Sequence, residues 1–458
     1  LTFCLKFNNF SDLSSFILKT GKVNFSYLLL VGAAKLQTSV KIQKLIENQE
    51  SELLSCKVAD LRSSPPPYTS PLQLLTKSSF WDSLLTVYFQ KLHETFPIVS
   101  ITHFNFETAP YSLLSAMYYY GYRFQSNQPE ELTLYMENFA KMNLKSLIRE
   151  CSLSTIQALL IYYSVYYFEG NVPMHIACRA HATRIAYALG LHLDNRMFND
   201  FEKYTRRLVL CRVRFMNVSV ASYQNLYPSF LTEFGIFDTN PFEPKWQTLN
   251  NSTYINYEDK NENYLYSTCT AHFINYLDEF QYNIYKHSMD NVKDSRFKSE
   301  WNRSRKAMVN LCDKYVKLFQ SLYLDYPLYI QRIAKFEVQI KIRHHNFMMG
   351  LYNILKTRLG ELSSSDIADA LFHCNSVLKP VLLGKQFNFI SQYLIFNVGY
   401  QYLNLYKLCS ASDKQTIKAQ LHNIIQIIST NYLPSTSLSF LILKNGYKSI
   451  INDNINNI

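Results

Sequence analysis

The sequence predicts an all-α fold, a large multi-helix bundle or irregular helical array, and three observations predict it. Long stretches repeat Leu, Ile, Tyr and Phe at spacings of three and four, the periodicity of one helical face. Glycine is scarce, 11 in 458 residues, whereas turn-rich β architecture needs positive φ often. Hydrophobic residues make up 48% of the chain and charged residues 18%, enough apolar side chain for a sizeable core. No internal repeat of constant period is present, which argues against a regular solenoid.

Residues 1–71 form an N-terminal segment, weakly patterned apart from a helical piece over Val40–Cys56. It ends in the proline-rich run Ser63-Ser64-Pro65-Pro66-Pro67-Tyr68-Thr69-Ser70-Pro71, which cannot continue a helix and biases the preceding residues to extended geometry. The folded unit is expected from residue 72 to about 430. Because the first residue is Leu1, the segment is expected to be incomplete at its N-terminus.

Ser78 or Ser79 is expected to cap the first helix of that unit, with Trp81, Leu85, Tyr88 and Leu92 on one face and a stop before Phe96-Pro97. Ser154 caps an apolar helix over Thr155–Phe168, whose run of Tyr162, Tyr163, Tyr166, Tyr167 and Phe168 is core rather than pocket lining. Gly170-Asn171 breaks it, and Asn171 with Pro173 opens the next helix as cap and early-turn proline. There Met174, Cys178, Ala182, Ile185 and Leu189 form the buried stripe, with His175 and Arg179 off it, and Gly190 supplies the left-handed residue at the end. Asn199 and Glu202 have the spacing of a capping box. Phe201, Tyr204, Leu208, Cys211, Phe215 and Val218 continue at spacings of three and four. Glu202 and Arg206 suit an ion pair, and Arg206-Arg207 a solvated face.

Beyond Pro244 a polar, Asn- and Tyr-rich loop runs to about Asn263. Helices resume over Tyr264–Tyr285, Phe297–Tyr323, Pro327–Arg358, Ser365–Leu378, Gln386–Leu408 and Asp413–Thr430, and residues 431–458 form a C-terminal tail. His344 and His345 are adjacent on a helix, so they point apart and do not readily share one metal ion; a satisfied or exposed pair is expected.

Several of these segments occur in the order of one known family. Tyr88-Phe89, His93, Phe96-Pro97-Ile98-Val99 and Phe104 are followed by Pro110, Leu113-Leu114, Ala116 and Gly121. Gln157-Ala158-Leu159-Leu160 comes next, and then the Ala-rich helix ending Leu189-Gly190-Leu191-His192 with Phe201-Glu202 and Arg206-Arg207 beyond it. This arrangement resembles the fungal-specific transcription factor domain, or middle homology region, which follows the zinc-cluster DNA-binding module in fungal regulators; Lys341–Tyr352 resembles a late helix of that family. The sequence departs from the family at Leu208-Val209-Leu210, where tryptophans commonly follow the arginines, and at Leu226-Tyr227-Pro228, where a Gly-Arg-Pro turn is usual. The resemblance implies a nuclear protein controlling transcription by RNA polymerase II, with residues 72–430 as its regulatory domain. DNA would be reached through an N-terminal module of six cysteines holding two zinc ions, which is not among these residues. The transcriptional machinery, effector proteins or a second copy of the chain are its expected partners. The alternative is a helical scaffold or adaptor without DNA binding, and a third reading is a helical enzyme with a buried pocket.

The remaining composition narrows these classes. Net charge is +11, but the densest basic stretches, Arg296–Lys306 and Lys335–His345, sit among apolar residues as solvated helix faces. Nine cysteines, none spaced as CxxC, give no zinc site in the segment and suit a reducing compartment. Cys151–Phe168 and Gln386–Tyr406 carry little charge, yet Ser, Thr, Gln or Asn interrupt both, so they are expected as bundle helices rather than membrane spans. No nucleophile elbow, phosphate loop, dinucleotide fingerprint, HExxH or paired carboxylates occur, and no residue is assigned a catalytic, cofactor or metal role.

Gly190→Val is expected to destabilise the fold by about 1–2 kcal/mol, because a β-branched side chain opposes the left-handed backbone. An unchanged melting temperature would contradict the proposed helix end.

Overall fold

An apolar side chain at every third or fourth position is buried best against another helix, and the computed structural model answers that pattern with helices. It describes residues 9–12, 14, 44, 71–93, 96–100, 104–125, 128–168, 171–193, 197–224, 260–286, 293–383, 389–430 and 438–455, and no strand occurs among them. A 3-10 turn, Pro71–Thr76, precedes α1 (Ser78–Tyr88), which widens into a π turn over Phe89–His93. Then come α2 (Tyr111–Arg123), α3 (Glu130–Leu147), α4 (Leu153–Phe168), α5 (Val172–Ala188), α6 (Asp200–Gln224) and α7 (Lys260–Lys286). The order continues with α8 (Asp294–Asp325), a 3-10 turn at Pro327–Tyr329, α9 (Ile330–Leu359), α10 (Ser364–Leu383), α11 (Phe389–Tyr406), α12 (Ala411–Thr430) and α13 (Leu438–Ile455). The expected helix over Val40–Cys56, apart from Lys44, the prolines before Pro71, Leu226-Tyr227-Pro228 and most of the polar stretch before Asn263 lie outside the described residues.

The chain divides into two units, one of Arg62–Ser288 with Ala307–Ile340, the other of Leu1–Leu61, Met289–Lys306 and Lys341–Ile458. In the first, α4 is apolar all round and buries Ile156, Leu159, Leu160, Ile161, Tyr162 and Val165 against α5 and α2, with α6 and α3 also on it. The Tyr162 hydroxyl in this core accepts from Asn143 Nδ2 at 2.9 Å, and the same amide donates to Ser112 O at 2.8 Å. Burial without such partners would leave polar groups desolvated and unpaired. In the second unit α11 packs on α10, α12 and α13, and α13 buries Phe440, Leu441, Ile442 and Leu443 within the stretch expected as a tail. Trp301 Nε1 there donates to Leu351 O at 2.8 Å.

Local chemistry at the helix ends matches the sequence in some places and corrects it in others. Asn199 Oδ1 accepts from Glu202 N at 2.8 Å while Glu202 Oε2 accepts from Asn199 N at 3.0 Å, a closed capping box. Asn171 caps α5 through the Met174 N–H, and Gly190 adopts φ 59°. Leu191 N donates to Ala186 O and Gly190 N to Tyr187 O, the paired bonds that close a helix end on a left-handed residue. The cap of α4 is Ser152, not Ser154: its Oγ accepts from Thr155 N at 3.2 Å. Neither Ser78 nor Ser79 caps α1; Lys77 occupies that position with no side-chain bond, and Ser78 is already helical. α10 runs on through Pro380 to Leu383, past the end expected at Leu378. α3 has no counterpart among the helices read from the sequence.

Gly121 sets the closest approach in the first unit. A Cβ there would lie 2.1 Å from Leu84 O and 2.8 Å from Leu84 Cα, so α1 and α2 meet backbone to backbone. Gly121→Ala is therefore expected to force the two helices apart and cost about 3 kcal/mol. An unchanged urea midpoint would show that the pair is not so closely apposed.

Candidate functional site

α6 carries arginines at 206, 207, 212 and 214 within an otherwise apolar stretch, and the fold uses each differently. Arg212 is fully buried. Its Nε donates to Pro97 O at 3.1 Å and its guanidinium lies 4.4 Å over the Phe96 ring. The neighbouring carbonyl, Ile98 O, accepts from Gln157 Nε2 of α4 at 2.9 Å. The Phe96–Val99 crossing is irregular backbone, buried throughout, so its carbonyls must be met by side chains. Arg212 and Gln157 meet two of them.

Arg206 does not form the expected surface pair with Glu202. Glu202 is committed to the capping box, and Arg206 Nη2 donates to Leu189 O at 2.5 Å, at the end of α5, with Phe198 beneath its guanidinium at 4.2 Å. Partial burial holds the Arg206 guanidinium below its usual range, and the charge of Glu202 opposes that shift. Arg206 thereby satisfies a carbonyl that the helix itself leaves open.

Arg207 and Arg214 stand two turns apart on one face of α6 and converge on Asp278 of α7. Arg207 Nη2 donates to Asp278 Oδ2 at 3.0 Å, and Arg214 Nη1 lies 3.3 Å from Asp278 Oδ1. The three side chains are 10%, 4% and 2% exposed, so Arg207 belongs to the core and not to a solvated face. Cys211 sits between them, packed with Tyr204, Leu208 and Ile274, its thiol donating to Ile274 O at 3.6 Å. Burial, and then the carboxylate of Asp278, push that thiol up to about 11, so it is a packing group and not a nucleophile. The next carboxylate on α7, Glu279, accepts from Lys314 Nζ and from the Tyr315 hydroxyl, both at 2.6 Å. Nothing in this geometry activates a bond-breaking group. Its chemistry is charge recognition in a poorly solvated setting.

The histidines divide between the units. His175, expected off the buried stripe of α5, is itself buried: its ring lies 4.1 Å from that of Tyr163 and 5.3 Å from that of Tyr167. Burial, the largest cause, pushes it down to about 4. In the second unit His344 and His345 of α9 do not point apart as expected: their rings lie 5.2 Å from each other and 6.0 and 5.0 Å from that of His373 of α10, and His345 Nδ1 lies 2.8 Å from His373 Nδ1. Burial and the neighbouring imidazoles push His345 down to about 4 and His373 to about 3. Tyr352 donates to Asp369 Oδ2 at 2.9 Å beside them. Among the described residues no group of three or more His, Cys, Asp or Glu side chains is placed to hold a metal ion. Nor is any described helix long and apolar enough to cross a membrane. Arg296, Lys298, Arg303, Lys306, Lys335 and Lys341 are exposed, in keeping with solvated helix faces.

Sequence reasoning missed Arg212, Arg214 and Asp278. The available signal was the string Leu208-Val209-Leu210-Cys211-Arg212-Val213-Arg214-Phe215, where arginines stand between apolar residues with no polar face to project from. Residues 85–223 of the chain match the family model described as the fungal specific transcription factor domain. The match runs from α1 to α6 and includes Phe96, Pro97, Gln157 and all four arginines, while Asp278 lies beyond it. Neither a curated protein nor a solved structure matches the chain.

A pH dependence follows from the paired imidazoles. Their pKa values are depressed in the fold, so the unfolded chain binds more protons between about 6.5 and the folded values. Stability is expected to fall as pH drops through 6.5 towards about 4 and to level off below about 3. His373→Leu should flatten this slope in urea midpoints measured across that window. A slope identical to the unaltered protein would remove the pair as a source of acid sensitivity.

Proposed function

We propose that this chain, which carries a fungal specific transcription factor domain over residues 85–223, is the regulatory region of a fungal zinc-cluster-type transcription regulator. The region spans residues 72–430, acts in the nucleus on transcription by RNA polymerase II, and performs no catalysis of its own. DNA is contacted by a separate module of six cysteines and two zinc ions upstream. The observation that carries the reading is the family match. The bonds from Arg212 and Gln157 to the Phe96–Ile98 crossing support it, because they join segments through which the resemblance runs.

The transcript upstream of Leu1 tests the proposal. Six closely spaced cysteines among basic residues, followed by a linker, are the expected result. A start codon close to Leu1 with no such cluster would overturn the DNA-binding assignment and leave a helical adaptor that acts through protein partners.

A further inference from the structure

Two guanidinium groups and one carboxylate meet between α6 and α7, and the count does not balance. Arg207, Arg214 and Asp278 are each nine-tenths buried or more, and together they hold one surplus positive charge. The next carboxylate along α7, Glu279, is already engaged by Lys314 and Tyr315. Each arginine meets Asp278 through a single terminal nitrogen and not through the two-pronged fork that guanidinium offers a carboxylate. Arg207 Nε and Arg214 Nε have no hydrogen-bond partner among the described residues, although both are buried, and Arg214 Nη1 and Asp278 Oδ1 meet only as an ion pair at 3.3 Å. A buried cation is retained only when it is paired, and a buried N–H only when it is accepted. Arginine also stays charged under all ordinary conditions, so proton loss cannot relieve the imbalance.

We propose that Arg207 and Arg214 form a binding site for a small oxyanion, a carboxylate or a phosphate, which joins Asp278 as their second negative partner. The chemistry fits on three counts. Carboxylate and phosphate oxygens both match the unused N–H edges of guanidinium; their negative charge offsets the surplus cation; and the 10% exposure of Arg207 leaves the centre in contact with solvent. The site joins α6, inside the family match, to α7, beyond it, so an anion there would tie the two helices together. A role for it as an effector site rests on the regulatory reading above; the binding itself does not.

The test is thermal melting of the purified full chain, titrated with sodium phosphate, sodium succinate or sodium chloride at constant ionic strength. Phosphate or succinate is expected to raise the melting temperature saturably, and chloride is not. A response to succinate alone identifies an organic acid as the ligand class, and to phosphate alone a phosphorylated one. Asp278→Asn should melt lower without anion and bind it about tenfold more tightly, because the anion then replaces the missing carboxylate. Arg214→Gln should abolish the response. Should that variant not fold, Arg214→Lys keeps the charge without the planar fork and should raise the half-saturating concentration about tenfold. No gain over chloride in either the unaltered chain or Asp278→Asn would overturn the proposal. So would a response of unchanged affinity in the Asp278 and Arg214 variants. Either failure leaves the upstream transcript as an independent test of the transcription reading.

Discussion

Arg212 is a permanent charge with no exposed surface, and the Phe96–Pro97 backbone is arranged so that this can be so. Removing a guanidinium from water costs several kcal/mol unless hydrogen bonds and a polarisable surface replace the lost hydration. Pro97 O supplies one such bond and the face of Phe96 supplies the surface. The exchange is mutual, since Pro97 O lies in irregular buried backbone and also needs a donor. α4 contributes through Gln157 to the adjacent carbonyl. A turn from one part of the chain, a central apolar helix and the middle of α6 are thereby held in a single register.

The same helix shows why charge in a core specifies more than it stabilises. Hydrophobic packing along Tyr204, Leu208 and Cys211 would tolerate a small rotation of α6, as apolar contacts are not directional. Four arginines with four different obligations would not. Arg206 must reach the end of α5, Arg212 the Phe96 crossing, and Arg207 and Arg214 the one carboxylate of α7. Breaking one buried partner from such a set typically costs about 3–5 kcal/mol, so alternative registers are strongly disfavoured.

How much of this was legible in the sequence depended on how far each interaction reaches. Asn171, Asn199 with Glu202, and Gly190 act within a few residues of themselves, and their roles were evident from spacing. The Ser152 cap shows the limit of such reading: three serine or threonine hydroxyls cluster at that end, and only the backbone conformation selects among them. The burial of His175 was hidden because its partners, Tyr163 and Tyr167, belong to the preceding helix and meet it only after the two have packed. Asp278 lies 71 residues from Arg207 and His373 lies 28 from His345, separations at which periodicity is silent. The arginines of α6 could have been singled out as anomalous, though not assigned partners.

The cysteines carry a consequence for observing this protein at work. Among the described residues Cys151 is exposed, whereas Cys178, Cys211, Cys269, Cys312, Cys374 and Cys409 are buried. Burial pushes the Cys178 and Cys269 thiols up to about 12 and raises Cys374 and Cys409 as well. Alkylating reagents attack the thiolate, so these groups react only when the surrounding helices open and solvent enters. They are distributed between the two units, with Cys178, Cys211, Cys269 and Cys312 in one and Cys374 and Cys409 in the other. The chain thus contains its own set of opening reporters, and the order in which the thiols become labelled would rank the local stability of the segments that carry them without adding a probe.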